Sequence, residues 1–193
     1  MASTYTANSG IEKIGAGEQA GAWGTTTNNN FDIIDKAISG VEAISLSGTT
    51  TDLTTSDGTL SEGGNKVLVL GGSPSGTNTI TIGPNDQDKV YIVENSTNQT
   101  VTFTQGSGGN VSIAAGSKKI IYADGAGSSA KVTDVTDALD IAALRLGGTA
   151  ITSTAAELNK LDGVNSTTTE LNIVDGDTSV GTTAVAAGDG IVT

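Results

Sequence analysis

The sequence predicts a mainly β chain in three parts. These are an extended N-terminal anchor with a short helix (residues 1–41), an antiparallel β-sandwich or jelly-roll-like domain (42–135) and a repeat-containing fibrous shaft (136–193). Three observations carry this reading. Short apolar runs of period two recur between clusters of Gly, Asn, Ser and Pro through the middle of the chain. Aromatic residues make up only 3%, which excludes a large ring-filled core, whereas small polar and β-branched side chains suit thin β layers. A repeated E-L-N-x-x-D-G unit then occupies the C-terminal part.

In the anchor, residues 2–9 are small and polar apart from Tyr5, a composition that stays extended or disordered until something holds it. Trp23, the single tryptophan, stands among Gly21, Ala22 and Gly24. Glycine lets the backbone come close to a partner and the indole brings a large apolar surface, which is the make-up of a plug that enters a pocket. From Asn30 the pattern turns helical. Phe31, Ile34 and Ile38 fall at i, i+3 and i+7, with Ile33 and Ala37 widening the stripe, Asp32, Asp35 and Lys36 facing away, and Gly40 ending it. Such a helix of about nine residues falls short of the ~12–15 that persist alone in water, so its stripe needs cover. No neighbouring segment reads as a matching helix. Identical copies of the chain are therefore expected to supply the cover, with Phe31, Ile34 and Ile38 on a symmetry axis. The alternative is a helix packed on the domain that follows it.

In the middle part, strands are predicted at residues 44–47, 66–70, 79–82, 89–93, 100–104, 110–113, 118–122 and 130–135. Turn residues separate them: Gly63-Gly64-Asn65, Gly71-Gly72-Ser73-Pro74, Gly83-Pro84-Asn85, Glu94-Asn95-Ser96, Gly116 and Asp124-Gly125. Short strands at roughly ten-residue spacing indicate the antiparallel sandwich, and parallel βαβ units are excluded because no helices intervene.

From residue 136 the texture changes. Residues 138–146 read as a helical turn leading into a strand, broken by Gly147-Gly148. Glu157, Leu158, Asn159, Asp162 and Gly163 recur as Glu170, Leu171, Asn172, Asp175 and Gly176, with Leu161 matched by Val174; the step is 170 − 157 = 13. Each copy has a capping box, Thr154 with Glu157 and Thr167 with Glu170, and a glycine stop. Leu158, Leu161, Leu171 and Val174 form stripes too small to bury themselves, so they are expected to stack on other chains. The C-terminal residues carry no stop signature, and the natural polypeptide is expected to continue beyond Thr193.

Residues 17–40, with Gly21, Trp23, Gly24, Asn28, Asn30 and Phe31 at their spacing, resemble the N-terminal segment of tail fibre and related virion proteins of tailed bacteriophages, particularly phages of marine and photosynthetic bacteria. The middle part resembles a small β domain of such fibres, and the E-L-N-x-L-D-G unit is similar to repeats in virion structural proteins. The resemblance implies a homotrimeric fibre in the virion, made in the host cytoplasm. Its N-terminus would dock on tail adaptor or nozzle proteins, and a distal region would reach a host surface receptor. It gives Trp23, Gly24, Asn28, Asn30 and Phe31 to tail docking. Self-association falls to Phe31, Ile34, Ile38, Leu158, Leu161, Leu171 and Val174.

Other chemistries find little support. A formal charge of −12 opposes non-specific binding to nucleic acid or anionic membrane, and no apolar run approaches the ~18 residues of a membrane span. Without histidine or cysteine, Ser-His-Asp and Cys-His catalysis, disulfides and the usual zinc sites cannot be built. No phosphate-cradling glycine motif occurs, and no cofactor is expected. Asp86 with Asp88, or Asp175 with Asp177, can offer oxygens to calcium, but neither completes a calcium loop and solvated turns are the plainer reading. Asn95, Asn98 and Asn165 match the glycosylation pattern, which is idle without secretion. A glycan depolymerase would need paired carboxylates beside aromatic platforms. A carbohydrate-binding adhesin would need exposed rings, for which only Tyr91, Phe103 and Tyr122 are available in the β domain.

Overall fold

The computed structural model describes residues 2–137, 144–160 and 162–165. The chain divides into two units, Met1–Asp140 and Ile141–Thr193. The anchor and the β domain lie together in the first.

In chain order the first unit contains β1 (Thr4–Tyr5), β2 (Glu12–Lys13), α1 (Trp23–Ser39), β3 (Val41–Leu46), β4 (Thr50–Thr54), β5 (Val67–Gly72) and β6 (Asn78–Gly83). It continues with β7 (Asp88–Asn95), β8 (Val101–Thr104), β9 (Val111–Ile113), β10 (Lys118–Asp124) and β11 (Val132–Asp134). A five-stranded sheet of order β11-β10-β7-β5-β3 faces a four-stranded sheet of order β4-β6-β8-β9. Between them Leu46, Leu53, Leu68, Leu70, Ile80, Ile82, Tyr91, Val93, Val101, Phe103, Ile113 and Ile121 make one core. Period-two strands with one apolar face toward the partner sheet produce this arrangement.

The chain is mainly β, as expected, but the antiparallel sandwich or jelly roll is not what it forms. β3 pairs with β5 and β5 with β7 in parallel, and so do β4 with β6 and β6 with β8. The chain alternates between the sheets, so β3–β4, β5–β6 and β7–β8 are three stacked rungs. Within these two sheets β9, β10 and β11 are antiparallel to their neighbours, and they close the stack. Parallel strands need a crossover connection. Here the crossover is the strand of the opposite sheet, reached by short arches at residues 47–49, 73–77 and 96–100, so no helix is required. Gly, Asn, Ser and Pro mark such arches as readily as hairpins, which is why turn chemistry pointed to the wrong pairing. The strand β4, T-T-D-L-T, also escaped the sequence reading because only Leu53 in it is a large apolar residue.

Arches stack with the rungs they join. Ser73 N–H donates to Leu46 O at 3.0 Å, Ser96 N–H to Leu70 O at 2.8 Å, and Asn78 Nδ2 to Gly48 O at 3.1 Å. At Gly72, φ is +89° and an added Cβ would lie 2.3 Å from Leu46 O, so only glycine fits between the first two rungs. Fully buried Asn95 fastens the third arch: its Nδ2 donates to Gln99 O and Ile113 O, both at 2.9 Å, and its Oδ1 accepts from Thr97 N–H and the Thr97 hydroxyl. At the closing strand, Lys119 Nζ lies 2.6 Å from Asp134 Oδ2. Burial pushes the Asp134 carboxyl up, but hydrogen bonds from Lys119 and from the hydroxyl and amide of Thr136 outweigh it and hold the group at about 2.

The second unit contains a hairpin of β12 (Arg145–Leu146) and β13 (Thr149–Ala150), turned by Gly147 and Gly148 at positive φ, and a short helix α2 (Ala155–Asn159). The capping box is present: Glu157 N–H donates to Thr154 Oγ1, and Thr154 N–H to Glu157 Oε2 at 2.8 Å. Bonds from the Thr154 amide and hydroxyl lower the Glu157 carboxyl below its ordinary range. Gly163 has φ +79°, the left-handed stop the repeat called for. Leu158 is exposed; Leu161, Leu171, Val174 and the second copy lie outside the described residues.

Two outcomes test this packing. Asn95→Ala is expected to lower stability by about 3 kcal/mol in urea unfolding, because it strands several buried backbone groups. The Asp134 carboxyl sits below its ordinary value of ~3.9, so its contribution is complete above about pH 4 and lost as pH falls through about 2. Asp134→Asn should therefore lower the unfolding midpoint at pH 7 and reduce the loss of stability between pH 4 and 2.

Candidate docking surface on the N-terminal helix

The helix α1 has 17 residues and starts at Trp23, so the expected short helix from Asn30 is corrected. Trp23 is thus not in a glycine loop ahead of the helix but on its first turn. The run T-T-T-N-N-N has poor helix propensity, which is why the start was placed too late. Tertiary bonds overcome that propensity. Trp23 N–H and Ala22 N–H donate to Gln19 O, at 3.0 and 2.8 Å, and the Gln19 side chain bridges Glu12 and the Thr26 hydroxyl. Asn29 Nδ2 donates to Gly58 O at 2.7 Å. Asn30 makes a paired contact with the backbone of Glu12, its Nδ2 donating to the carbonyl at 2.8 Å and its Oδ1 accepting from the amide at 2.9 Å.

Residues 2–13 are likewise held rather than loose. β1 and β2 pair antiparallel, Gly58 N–H donates to Gly10 O at 2.7 Å, and Lys89 Nζ donates to Asn8 O. Burial pulls the Lys89 ammonium down to about 8. Gln19, Asn29, Asn8 and Gly58 were not singled out in the sequence; the roles of Asn29, Asn8 and Gly58 show only in their long-range partners.

The helix divides its apolar residues between two sides. Ile33, 5% exposed, borders a small gap with Thr55, Leu60 and Gly64 of the segment joining β4 to β5. Packing on the following domain is therefore real, but it uses Ile33 and half-buried Ala37 and not Phe31, Ile34 and Ile38. Trp23 is 62% exposed, Phe31 62%, Ile34 37% and Ile38 68%. With Thr27 these residues fall within an arc of about 80° at 3.6 residues per turn, a continuous apolar ridge facing water. Gly24 lies beside it, and a Cβ there would meet nothing within 4 Å, so the fold itself has no use for glycine at that position. Asn28 is exposed, whereas the Asn30 amide is occupied within the chain.

The other sequence candidates are placed elsewhere. Tyr91 and Phe103 are core residues, 1% and 0% exposed, and Tyr91 Oη donates to Gly63 O at 2.8 Å; burial raises the Tyr91 phenol. Tyr122 Oη donates to Asp88 Oδ1 at 2.8 Å, which raises its own acid range. Asp88 is thereby used on the sheet, while Asp86 lines a polar cleft of about 440 Å³ with Tyr5, Thr55, Asp57 and Gln87. Among the described residues no group of three or more His, Cys, Asp or Glu could hold a metal ion, and no helix is long and apolar enough to cross a membrane.

Comparison with known proteins returns no match to any protein-family model, curated protein or solved structure. The fold and the surface define a short parallel two-sheet stack that carries a tethered helix with an uncovered apolar ridge.

Asn30→Ala is expected to detach β2 from α1. The Glu12 amide should exchange faster by about tenfold, the equivalent of ~1.4 kcal/mol, while exchange in β5 and β7 stays unchanged.

Proposed function

We propose that the chain is the tail-proximal part of a bacteriophage tail fibre, a homotrimeric virion protein whose N-terminal helix docks on tail adaptor or nozzle proteins. The observation that carries this reading is the ridge of Trp23, Phe31, Ile34 and Ile38, left in water on a helix that the chain otherwise anchors with care. A soluble monomer has no reason to fix large apolar side chains outward on a rigid support, whereas a docking element needs both the side chains and the rigidity. Trp23, Gly24, Asn28 and Phe31 take the docking role, and Gly24 allows close approach of a partner backbone. Phe31, Ile34 and Ile38 take part in association between copies, with Leu158, Leu161, Leu171 and Val174 serving the same purpose distally. Asn30 belongs to the support. Several weak anchors held together bind by multivalency, and host contact lies with a more distal region.

The charge of −12 accords with a protein that touches proteins rather than nucleic acid, and no catalytic residue is assigned. The adhesin reading loses two of its three rings to the core.

Trp23→Ala should leave the urea midpoint of the β stack within ~0.5 kcal/mol of the parent yet cut incorporation into particles at least tenfold. Gly24→Ala should strengthen the helix by ~1 kcal/mol and still impair loading. Equal loading of both variants contradicts the docking assignment.

A further inference from the structure

The two sheets of the first unit differ on their outer faces. In the four-stranded sheet the outward positions are hydroxyl or acidic. Thr50, Thr79, Thr102 and Ser112 form one row across the strands and Asp52, Thr81 and Thr104 the next. That is the ordinary make-up of a sheet with one wet side. In the five-stranded sheet the outward row is Val41, Val67, Ile92 and Ile120, with Val135 bonded through its amide to Ile120 O, and Val90 and Tyr122 lie beside it. Val41 is 62% exposed, Val135 47%, Ile92 41%, Val90 40%, Ile120 38% and Tyr122 36%. The runs V-L-V-L, V-Y-I-V and I-I-Y-A are apolar on both faces, the pattern of strands covered on both sides.

We infer that this band is an interface between copies of the chain, packed around a rotation axis that runs along the band. Area supports a protein partner. The band exposes roughly 500 Å² of apolar side chain, which is what one side of a standard interface supplies when ~800 Å² is buried per partner and a little over half is apolar. Continuity points to the same partner that covers α1. Ile38 lies in the last turn of α1 and Val41, the first residue of the band, follows three residues later across the extended Gly40, so the ridge ends where the band begins along the chain.

Charge at the borders of the band accommodates a second copy through one residue, Lys118. The band is bordered on one side by Asp88 and Asp124 and on the other by Glu94 and Lys118, whose ammonium lies 2.8 Å from Glu94. Asp124 and Lys118 stand on the same strand, β10, at opposite borders. Any rotation about an axis along the band brings the Asp124 border of one copy to Lys118 of the next on β10, and the Asp88 border to Glu94 on β7, where the ammonium of Lys118 beside Glu94 offsets the second carboxylate. This interface rests on the proposed association of copies but not on attachment to a particle.

The test is sedimentation velocity of the full chain from about 1 to 100 µM, with Ile92→Thr/Ile120→Thr, Lys118→Glu, Ile38→Ser and, on the other sheet, Thr81→Asp. The double threonine variant keeps β-branched residues and makes this face resemble its neighbour's, so the fold should persist by circular dichroism. The parent is expected to associate. The double variant and Lys118→Glu should each weaken association at least tenfold, while Thr81→Asp behaves as the parent. A parent that stays monomeric at 100 µM overturns the inference, and so does parental association of the double variant. If the double variant fails to fold, parental association of Lys118→Glu does the same. Should Ile38→Ser alone dissociate the chain, the band is not an interface while the association of copies through α1 survives. Should the band variants dissociate it and Trp23→Ala still load particles, the band is an interface while the docking role of α1 falls.

Discussion

Stacking of parallel rungs in register is the constraint on which the first unit depends. Because Val41, Val67 and Ile92 stand level across β3, β5 and β7, and Thr50, Thr79 and Thr102 across β4, β6 and β8, each residue's side is fixed by its rung. The same register sets Leu68 beside Val93 and Ile80 beside Phe103 in the core, and so decides which apolar residues must lie outside it. A slip of one residue would exchange the faces of a whole strand. Gly72 and Asn95 prevent slippage at the arches, the first by leaving no room for a side chain and the second by filling a buried polar site with satisfied hydrogen bonds.

The N-terminal arm is built on that stack and shares its rigidity. Gly58 and Lys89 hold the β1–β2 segment, Asn30 holds the helix to it, and Asn29 and Ile33 hold the helix to the segment between the first two rungs. A helix with three threonines and three asparagines in its first half is thereby kept in place, and its ridge from Trp23 to Ile38 keeps a fixed direction. Rigid presentation of a few large side chains lowers the ordering cost of association, which is the physical content of a docking element.

Much of this was legible in the sequence. Period-two runs gave β5, β6, β7, β8 and β10 to within two residues at each end, the capping box at Thr154 and Glu157 is present, and Phe31, Ile34 and Ile38 do share a helix face. Strand pairing was not legible, because a glycine-rich reversal looks the same whether the chain returns in its own sheet or crosses to the other, and arches of unequal length blur the repeat. The start of α1 was missed for another reason. Propensity argues against a helix at T-T-T-N-N-N, and the bonds that overrule it come from Gln19 just ahead of the helix and from Glu12 and Gly58, which lie beyond any local window. The doubly apolar strands of one sheet were in plain view, but their meaning depends on knowing that Ile92 and Ile120 stand in one row on the outer face.

The central claim is that the chain leaves two apolar surfaces for other copies and partners to cover, and that water is excluded from them in the assembled protein. Hydroxyl-radical footprinting at high and low protein concentration reads this directly. Ile92, Ile120, Tyr122 and Phe31 are expected to be labelled in dilute solution and protected at high concentration, with Tyr5 on the arm serving as the reference. Equal labelling of these residues at both concentrations, relative to Tyr5, would contradict the account.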